Sequence, residues 1–140
     1  MAPKTTTKKK KTTATTVLRT TTGTNFTIGV PTTWKRAGGS GFGYASASVS
    51  MSEHTDLGRG SQSMTQWASS LAMDASPRPS ASVVDLPVGQ VVRLVFAGSI
   101  EYHVDAGSSS DVFVFQGSAA HLAAEQATIA KIMASLRLTS

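Results

Sequence analysis

Residues 82–116 constrain the chain most, because four β-prone runs follow one another there with only turn signals between them. SVVDLP, QVVRLVFAG, SIEYHVDA and DVFVFQ are rich in valine, isoleucine and phenylalanine; a Pro-Val-Gly turn joins the first pair and a Gly-Ser-Ser-Ser loop precedes the last. Links this short make hairpins, so the strands are expected to run antiparallel. Helical patterns lie on either side. In SQSMTQWASSLAMD, Met64, Trp67, Ala68 and Leu71 fall at helical spacing, and Ser63 with Gln66 forms a capping box. In SAAHLAAEQATIAKIMASLRL, Leu122, Ile129, Ile132, Met133 and Leu136 do the same, which predicts one closing helix.

Further upstream, ATTVLRTTTGT reads as a strand, and Phe26, Ile28 and Val30 alternate in NFTIGVP until Pro31 ends the run. After a turn carrying Trp34, the loop AGGSG precedes GFGYASASVSMSEH. That segment reads as one long strand, with Phe42 and Tyr44 on one face and Ala45, Ala47, Val49 and Met51 on the other. Strands in runs, with helices between the runs, predict an α+β fold with a mostly antiparallel sheet. At 140 residues the chain has the length of one domain.

The first sixteen residues differ from all of this. MAPKTTTKKKKTTATT offers almost nothing to bury, so residues 1–16 are expected to be a disordered basic arm and residues 17–140 one domain. Residues 1–19 hold Lys4, Lys8, Lys9, Lys10, Lys11 and Arg19 against no acid, whereas the remainder sets seven bases against eight acids. The net charge of +5 therefore belongs to the arm. Clustered lysines on a loose segment suit a polyanion, since each ammonium that neutralises a phosphate releases a counterion. Arm lysines and Arg19 are the expected polyanion contacts, with nucleic acid or an acidic protein surface as partner.

Cysteine is absent, which excludes disulfides, thiolate metal sites and a cysteine nucleophile. There is no apolar leader core and no membrane-length apolar run, so a soluble chain, cytoplasmic or particle-associated, is expected. Among the serines no G-x-S-x-G elbow occurs, and Gly38, Gly39, Gly41 and Gly43 do not form a phosphate-cradling fingerprint. Asn25-Phe26-Thr27 matches a glycosylation sequon at a strand start, where chance accounts for it.

Two further constellations stand out. Trp34 beside Lys35 and Arg36 makes an interface anchor if its ring is partly exposed. The segments EHTD and EYHVD carry His54 and His103 with Glu53, Asp56, Glu101 and Asp105. On adjacent strands these could converge on zinc or manganese, giving a small-ligand or metal-dependent enzyme as the alternative reading. The polar outer face of a half-buried strand alternates in the same way and is the simpler account.

FTIGVPTTWKR, SMTQWASSLAMD, VVDLPVGQVVRLVF and TIAKIMASLRL, in that order, resemble the PsbP-like superfamily. That group includes photosystem extrinsic proteins, Ran-binding relatives and bacterial proteins of the LpqN and DcrB kind. The resemblance spans about residues 24–138. It implies an α/β/α sandwich, with helices flanking the sheet, and a mostly non-catalytic binding module that docks on a larger protein assembly. A particle-associated version, a phage or nucleoprotein accessory subunit whose arm lies along its neighbours, fits the same residues. No cofactor and no catalytic residue is implied.

Overall fold

The computed structural model describes residues 16–39 and 41–139. Chain order runs β1 (Leu18–Thr22), β2 (Phe26–Pro31), β3 (Lys35–Arg36), β4 (Gly43–Ala45), β5 (Ser50–Leu57), α1 (Met64–Asp74) and β6 (Ser80–Leu86). It continues with β7 (Gly89–Val95), β8 (Ser99–Asp105), β9 (Ser109–Gln116), α2 (Ala119–Ala124), α3 (Gln126–Ala134) and β10 (Arg137–Leu138). The fold is mixed α+β, with two antiparallel sheets rather than one. The larger has the order β3-β4-β5-β9-β8-β7-β6, the smaller β10-β2-β1.

The four β-prone runs form the meander β6 to β9, each paired antiparallel with the next. Its turns use local chemistry. Gly89 takes φ 129° where β6 turns into β7, a conformation that suits a residue without Cβ. At the β8–β9 turn Gly107 takes φ 94°, and its N–H donates to Asp105 Oδ1 at 3.0 Å. β5 then pairs with β9 from the other side, in a register that sets Glu53 opposite Phe113 and Met51 opposite Phe115.

Alternation along the strands divides the larger sheet into two faces. One presents Met51, Val91, Ile100, Tyr102, Val104, Phe113 and Phe115, all in a single core cluster with Phe26, Ile28 and Val30 of β2 and with Leu122, Ile129, Ile132 and Met133 of the last two helices. Edge-to-face packing of Phe26 on Phe113, with centroids 5.0 Å apart, joins the two sheets at its centre. The opposite face presents Val92 and Leu94 to Trp67, Ala68 and Ala72 of α1. That helix starts at its capping box: Ser63 Oγ accepts from the Gln66 N–H at 3.1 Å, and Gln66 Oε1 accepts from the Ser63 N–H at 2.9 Å.

Two expected elements are divided. The run GFGYASASVSMSEH is not one strand, because Ser46 Oγ accepts from the N–H groups of Ser48 (3.2 Å) and Val49 (3.1 Å) and folds a turn between β4 and β5. Tyr44, Val49 and Met51 consequently share one core cluster, contrary to simple alternation. The closing helix is likewise interrupted at Glu125, giving α2 and α3, and its expected tail pairs as β10 with β2. Among the described residues no helix is long and apolar enough to cross a membrane.

Candidate anion-binding surface

The arm joins the fold at an edge strand. Lys131 Nζ of α3 donates to the Thr16 carbonyl, and the Thr32 N–H donates to the Val17 carbonyl at 3.0 Å, fixing the path into β1. Arg19 follows three residues later, on β1 in register with Val30 of β2. Across the interlayer space, β3 and β4 form a small hairpin around the glycine loop, with Arg36 opposite Tyr44. Positive φ at Gly38 (86°) and Gly39 (68°) makes that turn, and Arg36 Nη2 donates to the Gly39 carbonyl at 3.3 Å.

The outcome is a stacked trio. The Arg19 guanidinium lies 5.7 Å from the Tyr44 ring centroid and the Arg36 guanidinium 5.9 Å from the same centroid. Tyr44 is 6% exposed and is braced edge-on by Phe42 at 5.5 Å, so the ring is a fixed support for the two cations. Each such contact stabilises by about 0.5–1 kcal/mol at a surface and leaves guanidinium N–H edges free for oxyanions. Both arginines are exposed. Among the described residues neither is within ion-pair distance of a carboxylate; the ion pairs found there are Arg59–Asp105 at 2.7 Å and His103–Glu101 at 2.9 Å.

Not every expected residue joins this patch. Lys4, Lys8, Lys9, Lys10 and Lys11 lie outside the described residues. Lys35 is exposed but registers with Ala45, so it points to the opposite face of the sheet from Arg36. Trp34 is 4% exposed and belongs to the core cluster, which corrects its reading as an interface anchor. Tyr44, by contrast, was legible only as a strand residue; pairing it with Arg36 requires the hairpin register.

The histidine reading is corrected by strand order. His54 and His103 both register with Val112, so the whole of β9 lies between them. His103 is 5% exposed, its Nε2 lies 2.9 Å from Glu101 Oε1, and the Trp67 ring approaches it edge-on with centroids 6.1 Å apart. Asp105 is engaged by Arg59, and Glu53 points to the other face beside Asp111. Among the described residues no group of three or more metal-ligating side chains occurs. A different carboxyl cluster emerges instead: burial, together with hydrogen bonding to and repulsion by Asp111, pushes the Glu53 carboxyl up to about 7.

No family model matches the chain, and no curated protein matches it.

Proposed function

We propose that the chain is a non-catalytic accessory protein that docks on a larger assembly and grips a polyanionic surface through its basic arm and the Arg19–Tyr44–Arg36 trio. One observation carries the reading. The arm, with five lysines and no acid, enters the fold three residues before an arginine that shares an aromatic ring with a second unneutralised arginine. Lysines of the arm and the two arginines of the folded surface thus lie close along the chain, and each adds a cation able to neutralise a phosphate. The order of strands and helices, with α1 on one sheet face and α2–α3 on the other, supports an α/β/α layering of the PsbP-like kind. In that family such a domain is a docking module, and a particle-associated setting, phage or nucleoprotein, suits an arm that follows a neighbour's surface.

Binding of duplex DNA and of polyglutamate across a salt series tests the proposal, with full-length chain, a variant lacking residues 1–15, and the double variant Arg19→Ala, Arg36→Ala. For DNA, each phosphate contact contributes about 0.9 to the slope of log affinity against log salt. Removing the arm is expected to flatten that slope by about 4.5, and the double substitution by about 2. Stronger binding to polyglutamate than to DNA at equal salt identifies an acidic protein surface as the partner. Equal binding by all three proteins in dilute buffer overturns the proposal.

A further inference from the structure

A second site lies where α2 and α3 pass over the β6 margin of the larger sheet. Small side chains on the helix wall, Ala119, Ala123 and Ala130, leave the interlayer space unfilled there. Two neighbouring lobes result, of about 180 and 290 Å³, and Arg93 and Gln126 line both. The remaining walls are apolar, with Val95, Phe96, Ile100 and Leu122 in the smaller lobe and Val84, Leu86 and Met133 in the larger.

Arg93 is the charged group lining these lobes, and it is held in place. Its Nε donates to Tyr102 Oη at 3.1 Å, and its guanidinium carbon lies 5.9 Å from the same ring's centroid. Tyr102 is 5% exposed and registers directly with Arg93 across β7 and β8, so the support is rigid. Among the described residues no carboxylate pairs with Arg93, and its two terminal nitrogens donate to none of them. A cation aimed along an apolar groove, with two N–H₂ groups uncommitted, matches a planar monoanion attached to a hydrocarbon chain. The lobes fall at or below the small end of the range for compact organic ligands, too small to seat a helix.

We infer that this groove binds a free aliphatic carboxylate, its head on Arg93 beside Gln126 and its chain along Val95, Phe96, Ile100 and Leu122. The lining residues belong to β6, β7, β8, α2, α3 and the β7–β8 turn and include neither Arg19 nor Arg36, so the inference stands apart from the polyanion reading.

Isothermal titration of the full chain with octanoate, octanol and octylammonium tests it. Octanoate is expected to bind, with octanol weaker by about tenfold or more, the usual worth of a charge-assisted hydrogen bond. Octylammonium is expected not to bind. Arg93→Gln is expected to lower octanoate affinity to the level of octanol. Ala123→Leu, an exposed helix substitution that fills the smaller lobe with Arg93 intact, is expected to weaken it independently. The variant lacking residues 1–15 is expected to bind octanoate unchanged. Octanol binding as tightly as octanoate, unaltered octanoate affinity in Ala123→Leu, or loss of binding with the arm each overturns the inference.

Discussion

Glu53 and Asp111 show how one residue's surroundings translate into a property of the protein. Asp111 is 1% exposed and Glu53 sits diagonally from it on β5, so two carboxyl groups share a partly dehydrated site on the core face of the sheet. Glu53 keeps its proton up to about pH 7 in the folded chain, against an ordinary value of 4.5. Between those values the folded state binds more protons than the unfolded one, so stability falls as pH rises through that window. Melting temperature is accordingly expected to be lower at about pH 8 than at about pH 5. Glu53→Gln, which cannot ionise and keeps a donor for Asp111, is expected to shrink that difference and to raise the melting temperature at the higher pH. An unchanged pH difference in the variant would show that Glu53 does not set it. None of this was legible beforehand, because Glu53 and Asp111 are far apart in sequence and meet only through the β5–β9 register.

Elements differ in how much of their form is local. The capping box of α1 is local: Ser63 and Gln66 are three residues apart and satisfy each other's backbone N–H groups, so the start of the helix could be read directly. Ser63→Ala is expected to cost about 1 kcal/mol in chemical denaturation, with the helix retained through Trp67 and Ala72. The interruptions at Ser46 and Glu125 were missed for a different reason. Apolar spacing continues through both, and the break comes from a serine hydroxyl bonding to two backbone N–H groups in one case. In the other, Glu125 leaves the helical region at φ −95°, ψ 8°, while its N–H still donates to the His121 carbonyl at 3.0 Å. Ser135 makes a similar point, accepting from the Gly29 N–H at 2.7 Å where α3 gives way to β10. Such bonds fix element ends without leaving a periodic signature.

At the scale of the whole molecule, hydrophobic pattern carried the α+β class, and strand order decided which side chains could meet. The meander from β6 to β9 followed from short turns, but the insertion of β9 between β5 and β8 is a long-range pairing that no local pattern encodes. That single placement parts His54 from His103. Among the described residues the buried hydrophobic positions begin at Phe26, so removing residues 1–15 is expected to change unfolding free energy by no more than about 0.5 kcal/mol, measured in denaturant. A larger loss would mean that the arm contributes to the fold. The root of the arm also has a mechanical consequence. β1 is an edge strand, bonded along one side to β2 over Leu18–Thr22 and steadied at Thr16 by Lys131. Whatever tugs on a captured lysine loads that narrow seam first, so the fold has a built-in point of yield where anchorage meets body, and the larger sheet is shielded until the seam gives way.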